Sequence, residues 1–189
     1  EGLPTDTNRI TAVTIAGNVT GNSAGTEIQI GGASGVDISG QFKHSYGYTV
    51  DIIGNVNGLK LGVQAKKQGG GLFRAVGDFD LRNIKICGNG VTGNVALKPI
   101  SVDVKSLRNC SFSSNDLQAS SLVVEPPIDI KAMTMRLVRV DGNTIDSDRD
   151  IAEAVRIVAG SSFKGSMVGN MAASGTYTAP ASFVVANNT

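Results

Sequence analysis

Apolar and polar residues alternate along most of this chain with a period of two. That is the spacing of a half-buried strand, whose successive side chains point to opposite faces. The most regular run is Gln41 to Ile53, in which Phe42, His44, Tyr46, Tyr48, Val50 and Ile52 share one parity and Lys43, Ser45, Gly47, Thr49 and Asp51 the other. Leu59, Leu61 and Val63, and then Ile100, Val102 and Val104, repeat the pattern in shorter pieces. Ile128 to Val140 also alternates, but its apolar parity switches near Thr134, as in a strand that carries a bulge or changes sheets. Asn55-Val56-Asn57-Gly58 ends on the Asn-Gly pair that tolerates positive φ, and predicts a β-hairpin. Residues 146–159 leave the one opening for a helix, and their apolar spacing supports a single short turn at most. The pattern predicts an all-β chain with little or no helix.

A length of 189 residues fits one β domain. The 24 glycines and the absence of Trp suit short strands joined by tight turns. With 17 basic against 16 acidic residues, no charge excess calls for nucleic acid or an anionic membrane as partner. No run approaches the ~20 apolar residues of a membrane-spanning helix. The chain begins at Glu1, as a processed mature form or an excised piece does. Its two cysteines, Cys87 and Cys110, fit one disulfide formed in an oxidising compartment, or else a pair of buried thiols.

Chemistry-bearing motifs are sparse. A single histidine excludes a metal site built on several imidazoles, and no nucleophile elbow or dinucleotide fingerprint is present. Asp146, Asp148 and Asp150 stand at alternate positions, but Ile151 and Ile157 occupy the places where a calcium loop needs Gly and Glu. The expectation is a non-enzymatic protein with no cofactor and no metal. The phrases Gly17-Asn18-Val19, Gly54-Asn55-Val56 and Gly93-Asn94-Val95 recur at intervals of 37 and 39. They raise a repeat architecture such as a parallel β-helix. The segments between them do not align, so the recurrence reads as reused turn chemistry.

The last stretch, Ser162 to Val185, runs through a Gly/Asn-rich loop into Gly175-Thr176-Tyr177 and an alternating strand with Tyr177, Ala179, Ala181, Phe183 and Val185 on one side. This pattern resembles the C-terminal end of fimbrial (pilus) subunits of the chaperone–usher type. The resemblance implies an immunoglobulin-like β-sandwich, incomplete and closed by a neighbour's strand, spanning residues 21–189 behind an N-terminal extension over residues 1–20. It implies a donor strand carrying Ile10, Val13, Ile15 and Val19, and an acceptor edge of Tyr177, Phe183 and Val185. It further implies an extracellular structural subunit, polymerising with copies of itself or related subunits and served by a periplasmic chaperone. The alternative is a carbohydrate- or receptor-binding β module, a fimbrial tip adhesin or a phage-fibre or virion domain. Phe42, His44, Tyr46 and Tyr48 would then form its face toward a glycan receptor, unless they fill the core.

Overall fold

The computed structural model describes residues 13–15, 18–20, 28–67, 69–93, 95, 98–119, 125–147 and 150–189, and for residues 18–20 and 43–45 the backbone alone. Every described element is a strand. In chain order these begin with β1 (Thr14–Ile15), β2 (Asn18–Thr20), β3 (Ile28–Ile30), β4 (Ala33–Ser45), β5 (Val50–Ile52) and β6 (Val56–Lys67). Next come β7 (Phe73–Cys87), β8 (Gly90–Gly93), β9 (Ile100–Ser113), β10 (Asp116–Ala119) and β11 (Ile128–Asp141). The chain closes with β12 (Thr144–Ser147), β13 (Glu153–Val168), β14 (Met171–Ala172), β15 (Thr176–Thr178) and β16 (Phe183–Ala186).

All the strand pairings are parallel, and each joins a residue to one 18 to 28 positions further on. The chain therefore winds as a parallel β-solenoid of about five turns, each coil stacked on the last. Stacked strands stand ~4.8 Å apart. Three faces result. The first stacks β3, β5, the leading halves of β7, β9, β11 and β13, and then β15. The second stacks β4, β6, the trailing halves of the same long strands, and β16. The third stacks the end of β6 with β8, β10, β12 and β14.

This corrects the expected immunoglobulin-like sandwich. Alternation dictates that one parity is buried, but it is silent on which strand lies next to which. Here the inward parity of each coil stacks on the same parity of the next. Val50, Phe73, Ile100, Ile128 and Val155 form one buried column, and Leu61, Ile86, Phe112, Val140 and Met167 another. Phe73 and Phe112, from different faces, meet edge-on across the interior with centroids 6.3 Å apart. The expected hairpin at Asn57-Gly58 is absent, because β6 continues past it without reversing direction. Gly58 (φ 81°) turns a corner within the second face, and Asn83, Asn109, Leu137 and Lys164 fill the same corner on later coils with φ between 51° and 55°. The left-handed conformation that suits a hairpin serves a solenoid corner equally well. Residues 146–147 and 153–159 lie in strands, so the short helical turn is not formed there.

A second corner, between the second and third faces, carries an internal ladder of asparagines. Gly88, Ser114, Gly142, Gly169 and Asn187 all have positive φ, and each is followed by a ladder Asn: Asn89, Asn115, Asn143, Asn170 and Asn188. Each Nδ2 donates to the Oδ1 of the next Asn at 2.8–2.9 Å, across sequence gaps of 26, 28, 27 and 18. Its other hydrogen goes back to a main-chain carbonyl one coil earlier: Leu61, Ile86, Phe112, Val140 or Met167. Each Oδ1 also accepts the backbone N–H of the preceding coil's ladder residue, Val63 filling that place for the first. Asn89, Asn115, Asn143 and Asn170 are 0–1 % exposed, so the ladder satisfies backbone groups that the tight corner would otherwise strand inside the core.

Candidate functional site, a basic ridge

The aligned arginines of the second face are a direct product of the winding. Register places Asn57, Arg82, Arg108, Arg136 and Phe163 in one outward column, one residue per coil. Inward-pointing Leu81, Leu107 and Met135 anchor the residue before each arginine, so the side chain that follows has to face solvent. Two residues beyond the corner, Lys60, Lys85, Ser111, Arg139 and Ser166 form a parallel column. Between the two lies the corner itself, where Lys164 adds a further cation. Arg82, Lys85, Arg108, Arg136, Arg139 and Lys164 are all exposed.

Acidic compensation is slight. Arg82 meets Asp80 at 3.4 Å and Lys60 meets Asp37 at 3.4 Å, both near the surface. Arg108 and Arg136 have no carboxylate partner among the described residues. Like charges one rung apart repel by about 1 kcal/mol even at the dielectric constant of water. Same-sign residues placed directly side by side destabilise a sheet. The column therefore costs folding energy unless an anion neutralises it.

Shallow hollows flank the arginines. One of about 470 Å³ is lined by Asn57, Arg82, Asn83, Arg108, Asn109 and Arg136, and one of about 240 Å³ on the other side includes Ser106 and Thr134. Asn109 Nδ2 donates to Asn83 Oδ1 (2.6 Å) and Asn83 Nδ2 to Asn57 Oδ1 (2.8 Å), a short exposed amide run beside the cations. Phe163 ends the column, 54 % exposed, with the Arg136 guanidinium 5.5 Å and the Lys164 ammonium 5.6 Å from its ring centroid.

The first face disposes of its charge differently. Buried Asp129 accepts Arg156 Nε (3.0 Å) and Nη2 (2.8 Å) and Lys98 Nζ (2.7 Å), with Lys131 at 3.4 Å. Burial alone would raise the Asp129 pKa, but the Arg156 and Lys98 hydrogen bonds outweigh it and hold the carboxyl down at about 2. Asp51, also buried, pairs with Arg74 at 3.2 Å. These are internally neutralised clusters, which the arginine ridge is not.

The expected site residues are placed as follows. Phe42 is buried, and the backbone of β4 ends at Ser45, so Tyr46 and Tyr48 lie in the bend beyond it and no aromatic row runs along one strand face. Tyr46 is half exposed, whereas burial pushes the Tyr48 phenol up. The His44 side chain lies outside the described residues. Ile10 does too, as does the side chain of Val19. Val13 and Ile15 pack against the core, and β1 and β2 pair with β4 of their own chain. Strand donation is thereby overturned: the segment expected to be lent to a neighbour is used at home. The acceptor residues sit in the final coil, with Tyr177 on β15 and Phe183 and Val185 on β16, both strands paired with β13. Phe183 lays its ring over Gly165, where a Cβ would stand 2.4 Å away. Cys87 and Cys110 are free thiols, not a disulfide. They occupy different columns, Cys87 beside Ser113 in the rung above and Cys110 inward, where burial pushes its thiol up to about 11. Among the described residues no cluster of His, Cys, Asp and Glu is arranged to hold a metal ion, and no helix is long and apolar enough to cross a membrane.

No family model matches the chain, and no curated protein or solved structure matches it either.

Proposed function

We propose that the chain is a binding module, a stiff β-solenoid that holds an extended polyanion against the ridge formed by Arg82, Arg108 and Arg136. The observation that carries this reading is the stack of three guanidinium groups on consecutive coils, two of them without a carboxylate partner among the described residues. The rigid frame fixes the spacing of the arginine backbones, so only the side-chain rotamers have to be ordered when a matching row of anions binds. This reading keeps the receptor-binding alternative that the sequence raises and drops polymerisation by strand donation. It also accommodates the near-neutral total charge, because the field is local to one face.

The test is a titration with soluble polyanions at two or more salt concentrations. Binding should weaken as salt rises, as expected when a few fixed cations release counterions. The triple variant R82A/R108A/R136A should lose at least tenfold in affinity while its thermal midpoint without ligand holds or rises, since the like-charge repulsion is gone. Unchanged binding in that variant, or no binding to any polyanion at low salt, refutes the proposal.

A further inference from the structure

Resting on the ridge as the binding surface, the geometry points to a narrower ligand class: a linear polysaccharide carrying one carboxylate per sugar, laid parallel to the solenoid axis. Three observations lead there.

The first is spacing. The column offers one guanidinium per coil, so the bound polymer must present an anion every ~4.8 Å or a simple multiple of it. A DNA strand places its phosphates ~3.4 Å apart along the duplex axis and falls out of step within two coils. An extended acidic peptide spaces same-side carboxylates by roughly 6.6 Å and does the same. A pyranose ring linked through opposite positions is about as long as one coil is high; its carboxylates project to different sides of the chain, and Arg82, Arg108 and Arg136, with a hollow on either flank, can each turn to the side on which the next uronate carboxylate lies. The planar guanidinium fork then grips each carboxylate through two parallel hydrogen bonds, which a lysine cannot do.

The second is the surroundings of the cations. Sugars bring hydroxyl groups as well as charge, and the hollows on the two sides of the column are lined by amides and hydroxyls. Among the described residues the amide run leaves Asn57 Nδ2 and Asn109 Oδ1 unused at its two ends. Ser106 and Thr134 line the opposite side. Asn57 Nδ2 and the two hydroxyls can donate to any anion, but Asn109 Oδ1 calls for a donor on the ligand, which a sugar hydroxyl supplies and a bare carboxylate or phosphate does not.

The third is polarity. Phe163 takes the last place in the column, directly after Arg136. A half-exposed ring in line with three arginines offers a platform for the apolar C–H face of one sugar. It makes the two ends of the ridge different, so the polymer binds in one direction.

The experiment is calorimetric titration with galacturonate oligomers of two to six units, against their methyl esters, a single-stranded oligodeoxynucleotide and poly-glutamate of matched charge. Affinity should rise from dimer to tetramer and then level off. The tetramer should bind at least tenfold more tightly than the nucleic acid or the peptide, and the methyl ester should not bind. R108K should lose most of the affinity that R108A loses, and F163A should weaken the tetramer several-fold with little effect on the trimer. K66A, an exposed cation on the third face, is the control and should bind as the parent does. Equal affinity for all the polyanions would overturn the one-carboxylate-per-coil assignment and leave the basic ridge standing. Absence of binding to every polyanion at low salt, with all variants folded, would remove the ridge itself.

Discussion

Replacing Asn143 by alanine removes one step of the ladder, and the structure gives the size of the loss. Its Oδ1 accepts the backbone N–H of Asn115 (3.1 Å) and one hydrogen of Asn115 Nδ2 (2.8 Å), and its own Nδ2 caps the Phe112 carbonyl (2.9 Å). The substitution strands these three partner groups beside a residue that is fully buried. Each buried polar group left unpaired costs roughly 1–3 kcal/mol. Asn143 keeps its backbone N–H bond to Asn170 Oδ1, and water entering the space recovers part of the loss. A net destabilisation of about 3–6 kcal/mol is expected, a large share of the ~5–15 kcal/mol that holds a typical domain together. N109G is the matched control. It removes an amide from the exposed run at the other corner, leaves a residue that takes the left-handed conformation there (φ 54°), and should cost less than about 1 kcal/mol. Urea denaturation followed by far-ultraviolet circular dichroism measures both. A loss below about 1 kcal/mol for N143A would refute the claim that the ladder holds the coils in place.

Two further predictions concern charge and sulfur. Asp129 has a folded-state pKa of about 2 against an ordinary value of 3.8, so it contributes stability above pH ~4 that is lost as pH falls toward 2. An acid titration of D129N should lack that component, whereas an unchanged profile would show that the cluster of Lys98, Lys131 and Arg156 does not govern it. Because Cys87 and Cys110 are free, a reducing agent should leave the thermal midpoint unmoved, and a drop of several degrees would mean that they are bridged.

Much of the coil interior is legible in the sequence. Leu59, Leu61 and Val63, and Ile100, Val102 and Val104, point inward as alternation requires. The parity switch near Thr134 marks the passage of β11 from the first face to the second. What alternation lacks is the identity of each strand's neighbour, since a sandwich and a solenoid bury the same parity. That information lies in the period. The Gly-Asn-Val phrases at 37 and 39 mislead, because Asn55 serves a different corner, where its Oδ1 accepts the backbone N–H of Asp80. Asn94 lies outside the described residues. The true signal is a residue that tolerates positive φ, then Asn, then an aliphatic two places on: Gly88-Asn89-Gly90-Val91, Ser114-Asn115-Asp116-Leu117 and Gly142-Asn143-Thr144-Ile145. Its spacings of 26 and 28 also separate Arg82, Arg108 and Arg136, so the ridge becomes visible once that period is used. The pilus-like ending misleads for a simpler reason: a short alternating strand closing a β chain is common to both architectures.

Everything proposed for the ridge depends on the coils stacking in register, so that residues 82, 108, 136 and 163 rise in one column. Nitroxide labels placed pairwise at these positions, in a background with Cys87→Ser and Cys110→Val, test that by electron paramagnetic resonance. Coils stacked in register place the backbones of 82 and 108, 136 and 163 about 5, 10 and 14 Å apart, multiples of the strand spacing, and dipolar broadening should fall in that order. Broadening that is absent for 82 with 108, or stronger for 82 with 163 than for 82 with 108, would contradict that stacking.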